Sequence, residues 1–138
     1  MTKGARRIPD GLTARERGYQ IQGRIAAEIE SLGYFTWQGY DKDEPDIVVY
    51  RDREMAQPDR VVSVKSFTLV PAGERGRRAS GRRITREDVW PELAVGQQLR
   101  VPVELVVVNM TNGGRGRWAL SSEFEGMTTN YTDLQDSE

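Results

Sequence analysis

Two runs of β-branched residues most constrain how this chain can fold. The first run is Ile47 to Val49 and the second is Val61 to Val64, on either side of a polar stretch with a Pro-Asp turn signal. Because β-branched residues favour strands, the pattern predicts an antiparallel hairpin. Asp46 stands directly before the first run and Lys65 directly after the second. The hairpin would therefore bring a carboxylate beside a lysine.

Alternation along the second strand adds a third polar group to this pair. Side chains on a strand alternate between its two faces, so Ser63 and Lys65 share one face while Val62 and Val64 share the other. Asp46 would approach from the neighbouring strand of the hairpin. A carboxylate, a hydroxyl and an ammonium group that converge on one point suggest metal-assisted chemistry on a phosphodiester.

The composition limits the chemistry that this chain can support. With 138 residues, 37% of them apolar, the chain is long enough for one domain with its own core. It contains no cysteine and no histidine, which excludes disulfides, Cys/His zinc sites, cysteine nucleophiles and every Ser-His-Asp triad. Any bound metal is therefore expected to be a hard cation with oxygen ligands.

The charges are segregated along the chain although they nearly cancel, with 20 basic and 21 acidic residues. Six arginines lie between Arg75 and Arg86, and two more follow in a second glycine-rich stretch. Flexible basic segments of this kind contact phosphates with salt-dependent affinity, although a solvated surface loop is the alternative. The arginines expected to contact phosphates are Arg75, Arg77, Arg78, Arg82, Arg83, Arg115 and Arg117.

Periodicity predicts one helix before the hairpin and one after it. A Thr-x-x-Glu capping box at Thr13 opens the first helix and Gly33 ends it. The second helical segment begins at Thr85 and is kinked or restarted by Pro91. The apolar face of the first helix consists of Ile21, Ile25, Ile29 and Leu32.

Three further strands complete the predicted fold. Val103 to Asn109 is a nearly continuous apolar run, as expected for a buried strand that lies parallel to its neighbour after a helical crossover. Tyr34 to Trp37 would form the first strand, and Trp118 to Leu120 would form the last strand after a glycine-rich turn. The predicted order is αβββαββ, which is an α/β fold with a single mixed sheet flanked by helices.

Composition also divides the chain into segments. We expect a flexible basic N-terminus at residues 1–12, one domain at 13–121 with a basic loop at 71–84, and an acidic, disordered tail at 122–138. The longest apolar run contains Glu104 and is too short to span a membrane, and the N-terminus lacks an apolar signal region. The expected protein is soluble and intracellular, with no membrane partner.

The order of elements and motifs resembles the PD-(D/E)XK nuclease superfamily over most of the chain. A helix, a strand, a Pro-Asp strand, an x-x-Lys strand, a helix and a strand follow one another in that superfamily. Gly18 to Gln22, followed by Leu32 to Tyr34, is similar to the first helix of Mrr-like and archaeal Holliday-junction-resolvase-like members. The resemblance implies a restriction-endonuclease-like fold, with Asp46 as a metal ligand, Lys65 as the catalytic lysine and Mg2+ or Mn2+ as the cofactor.

Two positions depart from the superfamily pattern. Ser63 replaces the carboxylate two residues before the lysine, and Gln22 stands where a glutamate is common in the first helix. Some restriction enzymes with a Ser-x-Lys pattern take the missing carboxylate from the next helix. This chain offers Glu92 and Glu87 there, which rank ahead of Glu28 in the first helix.

The resemblance thus implies a catalytic set and a function. The catalytic candidates are Asp46, Lys65, Ser63, Glu92, Glu87 and Gln22, and the metal ligands are Asp46, Glu92 and the carbonyl of Val64. The implied function is a metal-dependent endonuclease for duplex or branched DNA, which would need a homodimer or two successive binding events to cut both strands. The alternatives are a catalytically inactive nuclease-fold module for DNA binding or assembly, and a protein-interaction domain. The endonuclease and the inactive module differ in whether a glutamate points at Asp46.

Overall fold

A five-stranded mixed sheet forms the centre of the computed structural model, which describes residues 14–67, 81–110 and 113–130. In chain order the elements are α1 (Ala14–Glu30), β1 (Phe35–Gln38), β2 (Ile47–Tyr50), β3 (Pro58–Phe67), β4 (Gly81–Thr85), a short 3-10 helix (Glu87–Val89), α2 (Trp90–Leu99), β5 (Val103–Asn109), β6 (Arg115–Leu120) and β7 (Gly126–Asn130). The strand order in the main sheet is β1-β2-β3-β5-β6, and β4 pairs with β7 in a second sheet of two strands.

The predicted hairpin and the predicted parallel strand are both confirmed. Strands β2 and β3 are antiparallel, with Ile47 opposite Val62. Strands β3 and β5 are parallel, with Lys65 opposite Val107, and α2 lies in the crossover between them. Because β5 lies between β3 and β6 and is covered on both faces, its residues are nearly all apolar and do not alternate with polar ones.

Two apolar cores lie on opposite faces of the main sheet. Strand β3 contributes to both, since Val62 packs with residues of α1 and Val61 packs with residues of α2. The period of two along a strand places Ser63 and Lys65 on the α2 face, together with Val61. The predicted polar pair therefore points into the layer between the sheet and α2.

The apolar face of α1 is confirmed for its isoleucines and wrong for Leu32. Ile21, Ile25 and Ile29 are buried against the sheet, whereas 73% of the Leu32 surface is exposed. Helix α1 ends at Glu30, so helical periodicity no longer applies at Leu32. Gly33 follows in the left-handed region, with a φ of 103°, and turns the chain toward β1.

Strands β4 and β7 correct two predictions. Residues 81–84 were assigned to the basic loop and residues 126–130 to the disordered tail, but these residues pair with each other as an antiparallel ribbon. Ile84 of β4 and Thr129 of β7 are fully buried, which attaches the ribbon to the body of the protein. A pairing between segments so far apart in a polar sequence leaves no local signal. The predictions for residues 1–12, 71–80 and 131–138 lie outside the described residues.

Neither described helix is long and apolar enough to cross a membrane.

Helix α2 lies unusually close to β5 because it has a glycine at the contact. A Cβ atom at Gly96 would lie 2.3 Å from Cγ2 of Val103 and 3.3 Å from the carbonyl oxygen of Val101. Gly96 is itself buried. Since α2 also carries Glu92, this contact sets the depth at which that glutamate meets the sheet.

We predict that Gly96→Ala destabilises the protein by about 1–3 kcal/mol, because the added methyl group overpacks the contact with Val103. The double variant Gly96→Ala/Val103→Ala should lose less stability than the sum of the two single variants. Urea unfolding followed by circular dichroism measures these differences. Gly18→Ala is the control, since a Cβ atom there meets nothing within 4 Å. Equal midpoints for Gly96→Ala and the parent protein would contradict the prediction.

Candidate active site

Asp46 lies just beyond the paired region of the β2–β3 hairpin. The pairing begins with Ile47 opposite Val62, so the Val64 N–H on the β2 side of β3 has no ladder partner from β2. Asp46 Oδ2 takes that position and accepts a 2.7 Å hydrogen bond from the Val64 N–H. Because the N–H and C=O of a strand residue point to the same side, the Val64 carbonyl also faces the side from which Asp46 approaches.

Glu92 reaches Asp46 from α2, the helix that packs on this face of the sheet. It stands in the first turn of α2, directly after Pro91, and only 2% of its surface is exposed. Glu92 Oε2 accepts a 2.7 Å hydrogen bond from the Asp46 backbone N–H. The second oxygen, Oε1, is buried without a hydrogen-bond partner in the described part of the chain. The structure thus brings a glutamate of the second helix to Asp46, from 46 positions away in sequence.

Burial sets the protonation of this acidic pair. Burial raises the pKa of Asp46, while the charge of Lys65 and the Val64 N–H act in the opposite direction. Burial and the neighbouring charge of Asp46 together raise the pKa of Glu92 to about 8, against the opposing charge of Lys65. Two buried carboxylates that repel each other favour a proton or a cation between them.

Ser63 and Lys65 lie beside this pair on the same face of β3. Ser63 is fully buried, and its Oγ has no hydrogen-bond partner among the described residues. Lys65 is partly buried and lines the same cleft as Asp46 and Glu92. Ser63 Oγ and Glu92 Oε1 are thus two buried polar atoms whose hydrogen-bonding capacity a water molecule or an ion would satisfy.

The cleft that contains these groups has a volume of about 330 Å³ and an acidic lining. Its described acidic residues outnumber its basic residues by six to three. They are Asp41, Glu44, Asp46, Glu87, Asp88 and Glu92, against Arg15, Lys42 and Lys65. A DNA phosphate would be repelled by such a lining unless cations neutralise part of it.

The donor set suits a hard divalent cation, although it is small. Asp46 and Glu92 supply carboxylate oxygens, and no group of three or more acidic side chains forms a metal-binding cluster within the described ranges. The unpartnered Glu92 Oε1 and the raised pKa of both carboxyl groups fit a cation bound between them. Val64 stays a predicted ligand through its carbonyl.

Gln22 supports the backbone around Asp46. Its side chain is buried, and its Nε2 donates hydrogen bonds of 3.0 Å to the carbonyl oxygens of Gly39 and Asp46. The Gly39 N–H donates to the same Asp46 carbonyl at 3.1 Å. An amide can donate in this position and a glutamate carboxylate cannot, so Gln22 acts as a positioning residue and its predicted catalytic role stays a prediction.

The other two candidate glutamates do not contact Asp46. Glu87 is exposed on the 3-10 helix and lines the rim of the cleft. Glu28 forms a two-point ion pair with Arg115, in which Oε2 lies 2.7 Å from Nη2. The hydrogen bond from Arg115 lowers the pKa of Glu28. The glutamate is therefore ionised, and its charge is balanced by that of Arg115.

The described arginines of the predicted DNA-binding set differ in how free they are. Arg83 is exposed on β4, whereas Arg82 donates a hydrogen bond to the Ser66 carbonyl. Arg115 forms an ion pair with Glu28. Arg117 forms a longer one with Glu104, with 3.6 Å between Nη1 and Oε2. Arg75, Arg77 and Arg78 lie outside the described residues. DNA contact by this set stays a prediction.

Sequence reasoning missed several residues that line the cleft, among them Arg15, Tyr19, Tyr40 and Asp88. For Asp88 a signal existed, because Thr85-x-x-Asp88 is a capping pattern. Asp88 Oδ2 accepts a 2.8 Å hydrogen bond from the Thr85 N–H. Although burial opposes it, this bond lowers the pKa of Asp88. The two tyrosines meet only through tertiary structure and have no such signal.

Comparison with solved structures shows a similar fold. The structure of Archaeoglobus fulgidus Hjc, a Holliday junction resolvase from an archaeal hyperthermophile, matches with a TM-score of 0.59. The match covers 86% of this chain and 87% of that chain, at 10% sequence identity. No family model matches the sequence, and no curated protein matches it. The predicted α/β fold of the restriction-endonuclease type is confirmed. Because the sequence identity is only 10%, the match bears on the fold alone.

We predict that Glu92 makes the protein without metal less stable as the pH rises. The pKa of Glu92 is raised from 4.5 to about 8 on folding, so its contribution is complete below pH 4.5 and is lost as the pH approaches 8. The loss amounts to at most about 1.4 kcal/mol per pH unit. Glu92→Gln should flatten the decline between those limits, measured by urea unfolding in a chelator at several pH values. Glu87→Gln should keep the decline, and an unchanged slope in Glu92→Gln would refute the assignment.

A second prediction concerns the buried amide of Gln22. Gln22→Leu introduces an apolar side chain of similar size and removes the donor for two backbone carbonyls, so it should cost about 1–3 kcal/mol of stability. Gln20→Leu, at an exposed position of the same helix, should change stability by less than about 0.5 kcal/mol. The midpoints of urea unfolding are compared between the two variants. Equal midpoints would show that the Gln22 amide does not stabilise this backbone.

Proposed function

We propose that this protein is a metal-dependent endonuclease that hydrolyses phosphodiester bonds in DNA. The observation that carries the proposal is the contact of Glu92 with Asp46 beside Lys65, in an acidic cleft of a restriction-endonuclease-like fold. Glu92 supplies the second carboxylate that the strand lacks at Ser63. Since the similar fold of Hjc belongs to a Holliday junction resolvase, branched DNA is the favoured substrate.

Mg2+ or Mn2+ is the cofactor that these residues would hold. Asp46, Glu92 and the carbonyl of Val64 are hard oxygen donors, which these ions prefer. The bound ion would lower the pKa of a coordinated water molecule and polarise the scissile phosphate. The acidic lining of the cleft gives a further reason for cations, because they allow a phosphate to enter.

The chain's own residues position the reactants and stabilise charge. The Val64 N–H and Gln22 hold Asp46 in place, and the ammonium group of Lys65 orients the attacking water and stabilises the negative charge that develops on the phosphate. Hydrolysis forms one bond between phosphorus and the water oxygen and breaks one ester bond. The proton that the water loses is balanced by the proton that the leaving oxygen gains. The Ser63 hydroxyl can donate a hydrogen bond within the same buried space.

DNA binding outside the cleft would rest on the predicted arginines. Arg83 is the freest of those described, and β4 leads directly into the 3-10 helix that lines the cleft. Phosphate contacts of this kind give affinity with little sequence information. Cleavage of both strands would take a homodimer or two successive binding events, in an intracellular setting.

A catalytically inactive module for DNA binding or assembly is the second candidate. It is favoured by Ser63 and Gln22, which replace two carboxylates of the superfamily pattern, and by the lack of a three-carboxylate cluster in the described ranges. Such a module would bind DNA in a salt-sensitive manner without binding a divalent ion. Metal binding by the acidic pair therefore separates the two candidates.

We predict that Asp46→Asn, Glu92→Gln and Lys65→Met each lower the cleavage rate at least about 100-fold, because each removes a group that acts on the reacting atoms. Plasmid, single-stranded and four-way-junction DNA are the substrates, with Mg2+ or Mn2+. Glu87→Gln is the matched control, since it removes an exposed acidic group from the same cleft and should keep activity within about threefold.

Calorimetry of Mg2+ and Mn2+ binding provides the second measurement. Asp46→Asn and Glu92→Gln should lose metal binding, whereas Lys65→Met should retain it. Undiminished cleavage by any of the three variants would contradict the proposed roles. Salt-sensitive DNA binding by the parent protein, with neither metal binding nor cleavage, would instead establish the inactive module.

A further inference from the structure

One wall of the cleft has no role in the proposed chemistry, and we call it the tyrosine wall. It consists of Arg15 and Tyr19 from α1 and Tyr40 from the loop after β1. Arg15 Nε donates to the Tyr19 hydroxyl at 3.0 Å, and that hydroxyl donates to the Tyr40 carbonyl at 2.5 Å. The two tyrosine rings meet edge to face, with centroids 4.9 Å apart and planes at 79°. The three residues thus form one connected unit.

The tyrosine wall is held at a fixed place relative to Asp46. Glu44 Oε1 accepts hydrogen bonds from the Tyr40 and Asp41 N–H groups, which closes the loop on itself. The Gly39 N–H donates to the Asp46 carbonyl at the base of the loop. A Cβ atom at Gly39 would lie 2.4 Å from the carbonyl oxygen of Pro45, so the two ends of the loop cross as closely as glycine allows.

Arg15 contributes a positive charge to this wall and forms no ion pair with another described residue. A tyrosine hydroxyl orients its guanidinium group. The contact with Tyr19 uses Nε, and the two terminal nitrogens are the groups that bind a phosphate in the two-point manner. In a cleft with an excess of acidic residues, Arg15 therefore marks where a flanking phosphate is attracted.

Tyr40 presents an aromatic surface beside that charge. Tyr40 lines the cleft and 48% of its surface is exposed, while its backbone is fixed by hydrogen bonds. Exposed aromatic rings next to a nucleic-acid groove stack on bases, and each stacked base contributes about 1–3 kcal/mol. A base within a continuous duplex is already stacked between its neighbours, so only an unpaired nucleotide can use such a ring.

We propose that the tyrosine wall is a nucleotide-binding subsite next to the scissile phosphate. Arg15 binds the adjacent phosphate and the Tyr40 ring stacks on an unpaired base. The proposal rests on the proposed function in one respect, because Asp46 defines the scissile position. It names the substrate class as DNA with an unpaired nucleotide beside the cut, such as a flap, a frayed branch point or a single strand.

The test compares two labelled DNAs, a short single strand and a blunt hairpin duplex that contains the same sequence. Fluorescence anisotropy measures the affinity of the full chain for each DNA, with Ca2+ in place of Mg2+ or Mn2+ so that binding is observed separately from cleavage. The parent protein should prefer the single strand. Tyr40→Ala should weaken single-strand binding by about tenfold, as expected for one stacked base, and change duplex binding by less than about twofold. Tyr40→Phe should retain the preference because it keeps the ring, and Tyr40→Leu should lose it.

Arg15 has its own readout and its own control. Arg15→Gln should weaken binding of both DNAs and reduce the slope of log affinity against log salt by about one. Arg24→Gln, at an exposed position of the same helix away from the cleft, removes the same charge and should leave the slope unchanged. Equal effects of the two arginine variants, or equal losses on both DNAs with Tyr40→Ala, would overturn the subsite.

Failure of the subsite and failure of the proposed function give different results. Binding that depends on Tyr40 and Arg15, without cleavage of any DNA in Mg2+ or Mn2+, supports the subsite and refutes the endonuclease. Cleavage that depends on Asp46 and Glu92, with no dependence of affinity on Tyr40, supports the endonuclease and overturns the subsite.

Discussion

The hydrogen bond from the Asp46 backbone N–H to the Glu92 carboxylate is the interaction on which the candidate site depends. It joins the β2–β3 hairpin to α2 and so connects the sheet with the helix on one of its faces. The Asp46 carboxylate reaches Val64 on β3, and the Asp46 carbonyl accepts from Gln22 on α1. Main-chain and side-chain atoms of one residue therefore link three elements, and the acidic pair has a single defined arrangement.

The buried acidic pair opposes the stability of the folded chain. Burial raises the pKa of Asp46 and of Glu92, so a fully charged pair is unfavourable in the folded chain. Lys65 and the backbone donors offset part of that penalty. A divalent cation would relieve the rest, which is the relation expected where a site is built for binding rather than for maximal stability. In the same cleft, the tyrosine wall carries Arg15, which forms no ion pair with an acidic residue in the described part of the chain.

Features that depend on neighbouring residues were accessible from sequence. The hairpin, the buried parallel strand and the apolar face of α1 follow from periodicity and β-branched runs, and they placed Asp46 near Ser63 and Lys65. Leu32 was misassigned because periodicity does not show where the helix stops. Glu92 was one of three candidate glutamates, since all three occur on predicted helices. The tertiary structure brings Glu92, and not Glu28 or Glu87, to Asp46, on a helix that packs closely against β5 at Gly96.

The sequence by itself determined the strands of the main sheet, the two helices and the chemical groups available to the site, because propensity and periodicity act over a few residues. The tertiary structure decided which distant groups meet. It paired β4 with β7, assigned Glu28 to Arg115, turned Gln22 into a support for the Asp46 backbone, and joined Tyr19 to Tyr40. Each of these contacts links residues many positions apart. Local preferences do not encode such contacts, and the packing and burial of the folded chain select them.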